Sequence, residues 1–294
     1  MQNSDYPSLY IAADAASQKA QKYYINLLRF DLVLMLIGAL SSVYNFQSDS
    51  PRILIYILSG LILFIATILT FVVKIQKYED IWYQGRALAE SVKTLTWRYV
   101  TCSENFENQL QQSTVDTKFI QNISELSQKF GELNKVLDSK ILTLPVITNG
   151  AKAVRALNWE GRKSHYLKHR IKEQKEWYSN KSTFNATREN FWFWGIIVCQ
   201  FLSICAAVFL IIFPITNWNF VGLLTTLATA GLAWLQLKQY QELRQAYAVA
   251  TQELNSIENL GSYVNSETDL VKFVLDSENA VSREHTLWLA QRRK

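Results

Sequence analysis

Apolar residues gather into four windows separated by polar stretches: Leu27 to Tyr44, Ile53 to Val73, Phe191 to Phe213 and Trp218 to Leu237. Each is about 18 to 23 residues long. At 1.5 Å of rise per residue, such lengths match a hydrocarbon layer of about 30 Å. The second and third windows contain no ionised residue, whereas a helix at the surface of a water-soluble protein keeps a polar face. The four windows are therefore predicted to be transmembrane helices. The links Asn45–Arg52 and Pro214–Asn217 are short, which makes two antiparallel hairpins. The first window lies too far along the chain, and lacks the small-residue cleavage site, to be a removable signal peptide.

The flanks are charged but still helical in pattern. "KIQKYEDIWYQGRALAESVKTLTWRYV", residues 74–100, follows the second window with no glycine or proline at the junction. The expectation is a span that continues unbroken as a stiff rod. Long charged stretches also precede and follow the second hairpin, so one plan of helix, hairpin and helix is used twice, with hairpins beginning about 164 residues apart. The breakers Pro145 and Asn149-Gly150 mark the boundary. The fold class is an all-α membrane protein with four transmembrane helices as two hairpins, continuing into long cytoplasmic helices that bundle. The expected units are residues 1–148, with spans at about 27–45 and 53–73, and residues 149–294, with spans at about 191–213 and 218–237.

Charge adds an orientation. The net charge is +5. Lys19, Lys22, Arg29, Lys74, Lys77, Arg86, Lys181, Arg188, Lys238 and Arg244 all fall outside the hairpins, while the tips carry only Arg52. The positive-inside rule then places both termini and the middle linker in the cytoplasm of a multi-pass protein.

Chemistry is sparse. The three cysteines and three histidines make no metal or disulfide pattern. There is no phosphate-binding glycine loop, no nucleophile with a base and no paired carboxylates. The reading is a protein that is not an enzyme and carries no cofactor or metal. In the membrane windows, Gln200 and Ser203 fall on one side of the third helix, and Thr225, Thr229 and Gln236 on one side of the fourth. Small and hydroxylated stripes serve either close helix packing or the lining of a narrow wetted pore. Asp31, near the cytoplasmic end of the first window, is an interfacial or paired acid, or a group at a pore mouth. Between Lys152 and Arg188 stand ten Lys or Arg with interleaved aromatics. Lys163, Lys168, Arg170, Lys172, Trp177 and Tyr178 are candidates to hold a nucleotide or a single-stranded oligonucleotide, and anionic lipid explains the same charges. On the 74–100 segment, Trp82, Arg86, Glu90, Lys93 and Trp97 share one helical face, with Arg86 and Glu90 able to pair.

The stretch "WYQGRALAESVKTLTWRY", residues 82–99, resembles the signature that follows the hairpin in SLATT domains, through Trp82, Gly85, Arg86, Ala89, Glu90, Ser91, Lys93, Trp97 and Arg98. The stretch "RIKEQKEWYSNKSTFN", residues 170–185, is similar to the start of a second SLATT subtype through Gln174, Trp177, Tyr178, Lys181 and Asn185. The resemblance implies two tandem two-helix membrane effector domains of a bacterial anti-phage system. It further implies an inner-membrane homo-oligomer that opens a pore when infection is sensed. A nucleotide or oligonucleotide from a partner nucleotidyltransferase encoded nearby would control it. The alternative is a non-conducting membrane scaffold that recruits a cytosolic partner.

Overall fold

The computed structural model describes residues 1–292 of the chain, with side chains through residue 282. It is 82% helical and has no strand among the described residues. The helices are α1 (Ser8–Ser41), α2 (Asp49–Gln76), α3 (Tyr78–Val100), α4 (Gln112–Lys129), α5 (Ser139–Leu142), α6 (Asn149–Arg155), α7 (Trp159–Tyr166), α8 (Glu173–Ile212), α9 (Val221–Lys238), α10 (Tyr240–Gly261) and α11 (Glu267–Arg292). A π-helical segment, Leu167–Lys172, joins α7 to α8. Side chains start several of these elements. Thr148 accepts a hydrogen bond from the Ala151 amide to cap α6, and Asn158 accepts one from the Gly161 amide to cap α7.

The chain forms two compact units that cut across its linear order. A charged unit comprises Met1–Gln21, Glu79–Asn180 and Ala246–Lys294, and an apolar unit comprises Lys22–Tyr78 and Lys181–Gln245. The charged unit has an ordinary water-soluble core. Helix α3 buries Leu88, Val92, Thr96, Trp97 and Val100, while α4 buries Val115, Phe119 and Ile123. The spacing of four puts the α4 set on one face, whereas α3, with Ala87, Leu88 and Ala89 buried in succession, is enclosed on more than one side. Gly85 lets α1 approach: a Cβ there would stand 3.0 Å from both the Ala13 carbonyl oxygen and the Ser17 Cβ. The Ser17 hydroxyl donates to the Trp82 carbonyl at 2.9 Å in the same contact.

The apolar unit is built the other way round. Three helical runs are long and apolar enough to cross a membrane: α1, the run Asp49–Val100 holding α2, and the run Trp159–Ile212 holding α8. Only 6%, 6% and 11% of their apolar windows are buried. Phe64, Phe71, Phe191, Trp194, Phe201 and Ile204 all stand more than 60% exposed. Such a surface would be costly in water and suits lipid. Helix α9, 18 residues long, is not among the three; Gln236 and Lys238 near its end are its most polar residues. Within the unit, Ser41 and Ser59 share a hydrogen bond at 2.5 Å, and Gly231 packs on Ile196.

Two expectations need correction. The link between the third and fourth windows is longer than Pro214–Asn217, because Trp218 is extended and forms an antiparallel bridge with Tyr44. The Asn45 amide donates to the Asn217 carbonyl at 2.8 Å, and the Asn219 amide to the Val43 carbonyl at 2.7 Å. These bonds tie the hairpin tips together and delay the start of α9 to Val221. The rod at residues 74–100 is also not unbroken. Lys77 lies in the left-handed region, at φ 47° and ψ 33°, and separates α2 from α3. Gln239 does the same between α9 and α10, at φ 47° and ψ 46°. Neither residue is glycine, so the sequence carries no mark of either break.

Candidate functional site: a buried arginine network

The basic stretch from α6 to the π segment sends three of its guanidinium groups inward. Arg155, Arg162 and Arg170 are 6%, 1% and 1% exposed. Arg155 lies over the Tyr99 ring and donates to the Tyr99 carbonyl at 2.5 Å and the Phe106 carbonyl at 2.9 Å. It thereby holds the turn that follows α3. Arg162 reaches the Cys102 sulfur and forms an ion pair with Glu267 at 2.5 Å.

Arg170 is the centre of the largest cluster. Its Nη2 and Nε donate to the two carboxylate oxygens of Glu278 at 2.7 and 2.8 Å, a bidentate pair with both partners buried. The Tyr166 hydroxyl donates to Oε1 of Glu278 at 2.9 Å and the Thr94 hydroxyl to Oε2 at 2.7 Å. All of the acceptor capacity of this carboxylate is thus engaged. Arg170 Nη1 also lies 3.8 Å from Glu90, which pairs in turn with Arg86 at 3.7 Å. The π segment places Tyr166 and Arg170, four residues apart, on one carboxylate oxygen. Such segments inside α-helices are rare and recur at functional positions.

The electrostatics follow from burial and from these partners. Burial lowers the proton affinity of the Arg170 guanidinium, but Glu278 and then Glu90 outweigh it and hold the group above its ordinary value. Burial, reinforced by Glu278, raises the Tyr166 hydroxyl well above the usual range. Lys93 is lowered, first by burial, while Glu90 partly offsets this and Arg170 and Arg86 add to it. The cluster thus gathers three basic groups, Arg86, Lys93 and Arg170, around two carboxylates, Glu90 and Glu278.

The positions singled out from sequence fall into several environments. Trp82 and Trp97 are core residues of the charged unit, with Trp97 edge-on to Tyr166 at 5.5 Å. Arg86, Glu90 and Lys93 lie in the network just described. Arg170 does not belong to a solvated basic face: residues 168 and 172 are exposed, and position 170 points to the opposite side of the helix, into the core. The Lys163 ammonium donates to the Val264 carbonyl at 2.7 Å. Trp177 and Tyr178 both pack against Tyr247, with ring centres 5.5 Å away, and Trp177 remains 39% exposed. The six basic and aromatic candidates therefore do not form one surface.

The residues singled out in the apolar unit also divide. Ser203 is buried within the chain while Gln200 is exposed. Three residues of helix turn the chain by about 300°, which leaves them some 60° apart on the helix surface. Asp31 is 8% exposed and faces Thr70, whose hydroxyl is 3.5 Å away. On α9, Thr225, Thr229 and Gln236 are exposed along one stripe with Gly222. The two threonine hydroxyls bond back to carbonyls of the preceding turn.

Glu278, Thr94, Arg155 and Arg162 were missed by sequence reasoning. Glu278 lies 108 residues from Arg170. Its local signal is an acid on the apolar face of α11, between the buried Val274 and Val281. No group of His, Cys, Asp and Glu suited to a metal occurs among the described residues.

The two units define a class of protein: an α-helical, membrane-associated chain that joins an apolar hairpin unit to a packed, charged helical unit. The chain belongs to the SLATT family. Residues 7–163 match SMODS and SLOG-associating 2TM effector domain 3, and residues 166–288 match SMODS and SLOG-associating 2TM effector domain 1. The two matches meet inside α7. SLATT domains are two-transmembrane effector domains of defence systems. No curated protein and no solved structure matches this chain.

Proposed function

We propose that the protein is the membrane effector of a bacterial defence system and acts as an oligomeric pore in the inner membrane. In this reading the apolar unit crosses the bilayer four times, through α1, α2, α8 and α9, with both termini in the cytoplasm. The observation that carries it is the outward stripe of Gly222, Thr225, Thr229 and Gln236 on α9. A polar glutamine facing hydrocarbon is costly, and polar groups at membrane depth are usually found against protein or water. One chain has too few helices to enclose a channel, so several copies would line it about a symmetry axis. Gln200 on α8 also faces outward. Opening is controlled through the charged unit by a nucleotide or oligonucleotide made by a partner nucleotidyltransferase. Lys168, Lys172 and Trp177 are the exposed candidates to meet it.

Conductance in planar bilayers and depolarisation of expressing cells, followed with a voltage-sensitive dye, test the reading. Wild type should conduct when activated, and Thr229→Leu with Gln200→Leu should lower conductance at unchanged expression. A protein that stays silent in both assays under every activating condition is instead the alternative, a scaffold that recruits a cytosolic partner.

A further inference from the structure

Three helices of the apolar unit bring cations and indoles together at one place. Arg29 of α1 stands over the Trp234 ring of α9, its guanidinium carbon 5.5 Å from the ring centre. The Lys238 ammonium, at the end of α9, lies 5.6 Å from the centre of the same ring. Trp192 of α8 packs against Trp234 at 6.2 Å. Two like charges thus share one indole. Arg29 is exposed and has no carboxylate within ion-pair distance among the described residues. Asp31, two residues further on, is turned instead toward Thr70.

The surroundings indicate which anion fits. Phe191 and Trp194 of α8 are each 63% exposed and begin the lipid-suited surface that continues through Val198 and Phe201. A ligand here meets cations at one end and an apolar track at the other. Indoles and basic side chains at the end of a span are the groups that sit at headgroup level. Stacking on Trp234 adds cation–π attraction, which holds both cations in place before a ligand arrives.

We propose that Arg29, Trp192, Trp234 and Lys238 form a binding site for the phosphate headgroup of an anionic membrane phospholipid. The phosphodiester lies between the guanidinium and the ammonium, and an acyl chain follows the exposed aromatic track of α8. This inference rests on the apolar unit lying in a bilayer and is independent of pore formation.

The test uses the full chain in detergent micelles, with thermal unfolding and native mass spectrometry as readouts. Phosphatidylglycerol should raise the melting temperature more than phosphatidylcholine and should be retained preferentially. Each cation removed should weaken retention about five-fold, so Arg29→Ala with Lys238→Ala should abolish the preference. Exchanging the two basic groups, Arg29→Lys with Lys238→Arg, should keep it. Removal of the same charge elsewhere, as Lys129→Ala with Lys140→Ala at two exposed positions, should also leave it intact. Inorganic phosphate should give no shift. The proposal is overturned if the double alanine variant keeps the preference, if both lipids act alike on wild type, or if inorganic phosphate reproduces the effect. Should the double variant lose its helical circular dichroism, Arg29→Gln alone decides between the same outcomes.

Discussion

Glu278 shows how much one side chain can carry. It is fully buried and accepts hydrogen bonds from Arg170, Tyr166 and Thr94 at once. Removing one partner of such a pair leaves an uncompensated charge in the core, at a cost of about 3–5 kcal/mol. Glu278→Ala should therefore destabilise the charged unit by that amount in denaturant titrations, whereas Arg170→Met with Glu278→Leu should recover most of it. Full destabilisation by the double variant would mean the pair is not the cause. The buried tyrosines set the alkaline limit. Burial raises Tyr6 and Tyr166 above the ordinary tyrosine value of about 10, as it does Tyr99, which also donates to Asp116. Above pH 10 the unfolded chain loses these protons while the folded chain keeps them. Their stabilisation is thus complete below pH 10 and falls as pH rises, by about 1.4 kcal/mol per pH unit for each group. Melting temperatures measured from pH 8 to 11 should fall most steeply above pH 10. Gly85, Trp82 and Trp97 were legible in the sequence as unusual residues at fixed spacing. Their reasons, contact with α1 and with Tyr166, were not.

At the scale of elements, the C-terminal ends of α2 and α9 share an unmarked device. Lys77 and Gln239 each adopt a left-handed conformation and are each followed by a tyrosine that begins a new helix. A left-handed non-glycine residue costs about 1–2 kcal/mol, and glycine adopts the same angles freely. Lys77→Gly and Gln239→Gly should therefore leave thermal stability in detergent unchanged or raise it, while Lys77→Val should lower it by more than 1 kcal/mol. A loss of stability in both glycine variants would show that these angles are not a source of strain. The three long apolar helical runs were readable from hydropathy, because lipid demands about twenty apolar residues wherever a chain crosses it. The breaks were not, because lysine and glutamine, unlike glycine, carry no local preference for left-handed angles.

For the whole molecule, the feature with consequences is the outward face of α9. Ala228 and Gly231 are buried against their own chain, whereas Thr225, Thr229 and Gln236 point away from it. In a background without native cysteines, Thr229→Cys should form oxidative crosslinks between copies in the membrane, and Ala228→Cys should not. Equal crosslinking at both positions, or at neither, removes α9 as the contact between protomers. The linear halves matched by the two SLATT domains and the two compact units are different divisions of one chain. Each domain contributes a hairpin to the apolar unit and helices to the charged one.

The sequence alone determined the class of protein. Four apolar windows, charged helical flanks and two motif-bearing stretches suffice for that, because span length and helical periodicity are local properties. Only the tertiary structure decided the fate of the basic segment. Helical spacing says which residues share a face, but whether that face meets water or an acid more than a hundred residues away depends on chain reversals that no local pattern encodes. That is why Arg170 is found bound to Glu278 inside the charged unit.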